Sequence, residues 1–328
     1  MPDFIRLPSN RPADRFYLGG HRITAFRGEP NGSDRQPEDW VASTTTLAGE
    51  TSLGLTTLPD GRTLVDAIRA DPVAWLGPTH VERFGADTKL LVKLLDAGQR
   101  LPVHAHPHST FAHEHLGRAH GKAEAWFILS AGEVHIGLQH DVDPAELARL
   151  VAEQDTERML ALLHHLTVQP GDVVFVPAGV LHSVGAGVLL LELQEPEDLS
   201  ILLEWAGFEL DGAEHGHLGL GFGTALQAVE HRARTGEEIA ALARPAGFGA
   251  SVFPSEADAY FRLERHAVDG EVTLDPGFTV IVVSDGEVRL EADTLATGST
   301  VLAPNSAGPI VLRGRGEVLV CRPPATIR

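Results

Sequence analysis

Six histidines crowd the stretch PVHAHPHSTFAHEHLGRAHGKAEAWF, residues 102 to 127, at His104, His106, His108, His113, His115 and His120. Imidazoles at such density suggest metal chemistry, but one ion needs only three or four ligands. Their spacing separates them. In an extended strand residues two apart share a face, so His104 and His106 in LPVHAHP project together before Pro107 stops the strand. His113 and His115 follow Ser109 and Thr110, either of which could cap a short helix. On a helix, positions two apart point about 200° away from each other and cannot converge on one ion. His108 and His120 fall in flanking turns and read as solvated.

Glu124 opens the strand EAWFIL, which sets it on one face with Trp126 and Ile128. A carboxylate on an apolar face needs a partner, because burying it alone is costly. The second chemical segment, QPGDVVFVPAGVLHSVG (169 to 185), ends in a turn that delivers His182 to the next strand, VLLLEL. His104, His106, Glu124 and His182 make a three-histidine, one-carboxylate set for one divalent metal. Zinc is the best match, with manganese, cobalt, iron or nickel also compatible.

Most of the elements that position these residues read as short strands. TKLLVKLLD, EAWFILSAGEVHIGL, VTLDPGFTVIVVSDGEVRLEA and GEVLVCRP place β-formers between Gly, Asp and Pro turns, the grammar of an all-β sandwich or barrel. Helical periodicity is confined to about 141–166, with Asp143 and Pro144 as N-cap and first-turn proline, and to about 224–243. ARPAGFGAS (243 to 251) reads as a linker. The expected organisation is a metal-binding domain over 1–245 carrying the two helical insertions, followed by a smaller metal-free β-barrel over 246–328.

The 328 residues suffice for two cores, and the formal net charge of −19 argues against binding nucleic acid or anionic membrane. Runs such as GVLLLEL are too short to cross a bilayer. The N-terminal stretch has no apolar core of a secretory signal, and a single cysteine, Cys321, excludes an internal disulfide. A cytoplasmic monomer or homodimer is expected.

Taken together, His104, His106 and Glu124, then Gly171, Pro177, Gly179 and His182, resemble the two metal motifs of cupins. The longer gap between His106 and Glu124 is similar to class I mannose 6-phosphate isomerases, which carry LLxKxLDAxxxLSxQxHP, GKxExW and GDxxxxPAGxxH. The corresponding segments are LLVKLLDAGQRLPVHAHP, GKAEAW and GDVVFVPAGVLH. LGG (18 to 20) and WVAS (40 to 43) resemble the family's WGG and WExS. The resemblance implies a mainly β fold of two cupin-like barrels (jelly rolls), the first with helical insertions, and a zinc-dependent aldose–ketose isomerase. It implies His106, Glu124 and His182 as ligands, with His104 at the family's glutamine position. The departures are Pro102 for the family's serine, Leu18 for its tryptophan and Val41 for its glutamate. Ile201, Leu202 and Leu203 stand where SDxTYRxYDW has its arginine. An aliphatic residue cannot replace an arginine at a phosphate site, so the small-molecule partner that the resemblance implies is a sugar phosphate, mannose 6-phosphate with fructose 6-phosphate, or the unphosphorylated sugar pair mannose and fructose.

Isomerisation through an enediol needs a Lewis acid at the oxygens and a base near the carbon. Glu192, among apolar neighbours in VLLLELQEP, is the expected base. Lys122, on the face of Glu124, is placed to hold a substrate oxygen. Gln194, two residues from Glu192, and Trp40, as a stacking surface, are the expected substrate contacts. His215 and His217 in EHGHLGLGF read as part of a mobile loop near the site. A non-catalytic sugar-binding cupin and a metal-dependent cupin oxygenase use the same ligand types and are the alternatives.

Overall fold

The computed structural model describes residues 4–30 and 32–325. Residues 1–3 of the stretch read for a signal, and the last three of the expected second barrel, lie outside them. Along the chain the first strands are β1 (Ile5–Leu7), β2 (Glu38–Val41), β3 (Leu91–Asp96), β4 (His104–Ala105), β5 (Glu124–Ile128) and β6 (Gly132–Leu138). Next come β7 (Leu163–Val168), β8 (Asp172–Val176), β9 (His182–Val184), β10 (Leu189–Gln194), β11 (Ile201–Leu202) and β12 (Ala243–Pro245). The last are β13 (Arg262–Leu274), β14 (Thr279–Leu290), β15 (Asp293–Ala296), β16 (Thr300–Ala303) and β17 (Ile310–Arg322).

They form three antiparallel sheets, in the orders β12-β8-β5-β10-β3-β2, β11-β4-β9-β6-β7 and β1-β16-β14-β17-β13, with β15 on β14. β3, β5 and β10 are buried on both faces and read as near-continuous apolar runs. Trp126, Ile128 and Leu191 of the first sheet share one hydrophobic core with Val134, Ile136 and Val184 of the second, so the two sheets pack face to face. The fold is mainly β, in antiparallel sheets of the cupin type.

The third sheet shows how strand alternation joins the molecule. Val280 and Val282 of β14, with Leu319 and Cys321 of β17, point into that same large core. Their neighbours Ile281, Val283, Val318 and Val320 build a separate core on the other face. The N-terminal β1 belongs to this sheet, with Ile5 opposite Leu302 of β16. Among the described residues no helix is long and apolar enough to cross a membrane.

Both expected helical insertions are shorter than the periodicity suggests. Residues 141–166 form helices Pro144–Glu153 and Thr156–Ala161, separated at Gln154, whose φ is 52°. Asp143 caps the first, as expected, but LHHLTV leaves the pattern to pair with β6 as β7. Segment 224–243 is likewise interrupted. Its regular helix is Gly236–Leu242, started by a capping box of Thr235 and Glu238, because that reciprocal cap restarts the chain after an irregular stretch. The expected linker is also partly ordered, since Ala243–Pro245 pairs with β8 as the edge of the first sheet. Its proline is tolerated there because an edge strand has a free side.

Candidate metal centre and active site

His104 in β4 lies directly opposite His182 in β9, so one sheet register brings together histidines that are far apart in sequence. His106 follows on the same face. The three ring centroids are 4.0 to 5.0 Å apart, and their ligand nitrogens lie within 4.8 Å of one another. Each Nδ1 is 2.7 to 2.9 Å from a backbone carbonyl: His104 from Pro102, His106 from Leu199 and His182 from Val180. A carbonyl oxygen only accepts, so each Nδ1 carries the proton and each Nε2 keeps its lone pair.

Glu124 faces this group from β5 rather than joining it. Its Oε2 is 3.0 Å from Nε2 of His106 and its Oε1 3.2 Å from Nε2 of His182. With those tautomers neither contact has a proton to share, and the buried Nε2 of His182 has no hydrogen-bond partner. Three proton-free nitrogens and a buried carboxylate that converge on one another suit a cation. The donor set fits a divalent first-row metal. Lys122 is the cation that the chain itself supplies, with Nζ 2.7 Å from Glu124 Oε2 and 3.0 Å from His106 Nε2.

The electrostatics follow. Burial, with the neighbouring histidines, holds His104 well below the usual imidazole range, and burial with Lys122 pushes His106 down to about 3. Both are therefore neutral, as ligands must be. Burial alone would raise Glu124, but Lys122 and His106 outweigh it and hold the carboxyl well below its ordinary value. Glu192 in β10 goes the other way. Burial first, and then the charge of Glu124, push it up to about 8 against the pull of Lys93 and Lys122.

His104, Lys122, Glu124 and Glu192 line a cavity of about 60 Å3, room for two waters at ~30 Å3 each and less than a hexose needs. A larger cavity of about 610 Å3 adjoins it. Arg15, Phe16, Asp198, Ser200 and Leu202 line both, so they form the wall that the two cavities share.

Comparisons with known proteins follow the same lines. No family model matches the chain. Over 188 residues it is 31% identical to the mannose-6-phosphate isomerase of Streptococcus mutans, a match covering 55% of this chain and 54% of that protein. The match thus spans about half the length of that curated relative. The fold agrees over almost the whole chain with the crystal structure of mannose 6-phosphate isomerase from Bacillus subtilis. There the TM-score is 0.74 at 22% identity, covering 98% of this chain and 99% of the other. The chain is thus similar to mannose 6-phosphate isomerases over half of its sequence and shares their fold over nearly all of it. A variant of phosphomannose isomerase from Salmonella typhimurium shares the fold with a TM-score of 0.76 at 16% identity, covering 99% of this chain and all of that one.

Within this isomerase fold, the expected site residues fall in different places. Lys122 and Glu192 line the inner cavity, with Lys122 Nζ 3.7 Å from Glu192 Oε1. Gln194 lies directly opposite Glu124 in the sheet, but its amide nitrogen donates to the carbonyls of Glu195 and Glu197, and it does not line the cavity. Trp40 is fully buried, donates to Glu38 at 2.7 Å, and has the Lys93 ammonium 4.7 Å from its ring centroid. Lys93 lines the cavity and Trp40 does not.

Of the remaining histidines, His113 and His115 lie exposed on a helix, Ser109–Leu116, away from the metal group. Its cap is His108, whose Nδ1 accepts from the Phe111 amide, rather than Ser109 or Thr110. His120 is buried, not solvated: it sits 2.8 Å from Asp87 and 3.0 Å from Lys89, because those charges give the turn a polar interior. His215 ends a short helix, Gly212–His215, and lines the outer cavity.

Three further cavity residues carry no role in the sequence reading. Lys93 lies directly opposite Glu192 on β3, and Glu38 and Arg15 close the far side. Glu38 accepts from Tyr17 at 2.6 Å, Arg15 at 3.0 Å and Trp40 at 2.7 Å, with Lys93 at 3.5 Å. A lysine inside LLVKLL is the visible signal, since an apolar strand does not bury an ammonium without a partner. Nothing local marks Arg15, whose partners are brought in by the fold. Among the three aliphatic residues at the family's arginine position, Leu202 is the one lining both cavities.

Proposed function

We propose that this protein is a zinc-dependent aldose–ketose isomerase of the mannose 6-phosphate/fructose 6-phosphate type. The observation that carries the reading is the convergence of three proton-free Nε2 atoms beside the buried carboxyl of Glu192, which burial and Glu124 push up to about 8. His104, His106, His182 and Glu124 would hold the metal, which supplies Lewis-acid stabilisation of the oxygens at C1 and C2. From aldose to ketose, Glu192 takes the proton from C2 and returns it to C1 while the hydroxyl proton passes from O2 to O1, leaving the carboxyl as it began. A carboxyl titrating near 8 accepts and donates near neutral pH, where an ordinary one is too weak a base. Lys122 and Lys93 flank Glu192 and steady the negative charge that passes between it and the substrate oxygens. The small inner cavity keeps bulk water from the enediol, and the outer cavity holds the rest of the sugar.

A second reading of the substrate, the unphosphorylated mannose/fructose pair, is favoured by Leu202. It puts an isobutyl group in the wall where the family has its arginine, and the nearby Arg15 is already bonded to Glu38. Steady-state assays on mannose 6-phosphate and on mannose, with metal content measured on the same protein, separate the two. Turnover of neither sugar by metal-loaded protein refutes the isomerase reading.

A further inference from the structure

A second polar cavity, about 220 Å3, lies away from the metal centre, where the helix Pro78–Phe84 meets the third sheet. Its charged lining is Arg262 and Arg322, with His80, Thr79 and Asn305 as the main neutral polar groups and no carboxylate. In a chain of net charge −19 that composition is unusual.

The two arginines lie directly opposite each other on β13 and β17, so their Cβ atoms are within about 5.5 Å. Like charges facing across a sheet destabilise it unless compensated. Arg322 is compensated: it donates to Glu264 at 2.5 Å, to Thr279 at 2.7 Å and to the Asp275 carbonyl at 2.9 Å. Glu264 also takes His266 at 2.9 Å, so its capacity is shared already. Arg262 has only the Pro323 carbonyl, at 3.3 Å, and makes no ion pair among the described residues. Burial and the facing Arg322 lower its affinity for its proton, against the pull of Glu264 and the more distant Asp258. Both effects describe a guanidinium whose counter-ion is missing from the protein.

We infer that this cavity is a binding site for a small oxyanion, a phosphate- or carboxylate-bearing metabolite held by the Arg262 fork, with Thr79 and Asn305 as neutral donors. A guanidinium presents paired donors that match either group. The volume equals about seven waters at ~30 Å3 each, enough for a small organic anion. The lining comes from the helix Pro78–Phe84 on one side and from β13, β17 and the Asn305 turn on the other. A bound anion therefore ties the N-terminal helices to the C-terminal sheet, independently of any isomerase chemistry.

The test is thermal unfolding of the full-length protein in inorganic phosphate, in citrate and in sodium chloride at matched ionic strength. Phosphate or citrate should give a saturable rise in Tm of about 2 °C or more that chloride does not, and whichever acts at lower concentration identifies the anion class. Arg262→Gln should remove the increment whatever its own baseline. Asn305→Asp, which puts a carboxylate into the cavity with little change of shape, should do the same. His182→Ala should leave the increment intact, which separates this site from anion binding at the metal. No saturable rise, or an equal rise in Arg262→Gln and Asn305→Asp, overturns the inference.

Discussion

Replacing His182 by alanine removes a proposed ligand whose Nε2 has no hydrogen-bond partner and whose Nδ1 is already bonded to Val180. The variant is expected to lose its metal and its activity by about a thousandfold or more. His113→Ala, on an exposed helix face, should change neither, and metal analysis of both variants checks the assignment. Glu192→Gln keeps shape and hydrogen-bonding capacity but cannot shuttle a proton. It should retain full metal content while kcat falls by about a hundredfold or more. The grouping of His104, His106 and His182 was legible in the sequence because strand periodicity and a turn of known type carry them. The identity of the network behind Glu192 was not, because Arg15, Glu38 and Lys93 meet only through tertiary contacts.

At the scale of elements, Glu38 secures the edge strand β2 against β3 and the N-terminal segment by binding Arg15, Tyr17, Trp40 and Lys93. Burial would raise its carboxyl, but Arg15 and Lys93 hold it well below the usual carboxylate range. A carboxyl depressed in the folded state contributes stability that is complete above its unfolded pKa, about 4.3, and fades as pH falls below it. Glu38→Gln should therefore cost about 3–5 kcal/mol at pH 7, where buried cations lose their counter-charge. It should cost less by pH 3, giving a flatter dependence of Tm on pH than the wild type. Gly19 in the LGG turn is a related constraint, since a Cβ there would lie 1.9 Å from the Asp96 carbonyl oxygen. Gly19→Ala must displace β3 or the turn, and denaturant unfolding should register the loss. Strand alternation made most of the sheets readable. β7 was not, because LHHLTV continues a helical pattern until its pairing with β6 overrides propensity.

At the scale of the whole molecule, the same core that buries the inner faces of the first two sheets extends to β14 and β17. β1 returns the N-terminus to the third sheet. The smaller C-terminal β unit is visible in the sequence as repeated strand grammar, but its attachment through β1 is not, because IRL carries no signal of its distant partner. Removing the metal with a chelator should lower Tm, since the ion binds only the folded arrangement of ligands from three separate strand regions. The central claim is that this arrangement performs isomerisation. The direct measurement is conversion of mannose 6-phosphate and of mannose to the ketose by protein with about one bound metal per chain. Turnover of at least one, abolished by chelation and restored by zinc, is the predicted result. Metal-replete protein that converts neither sugar would contradict it.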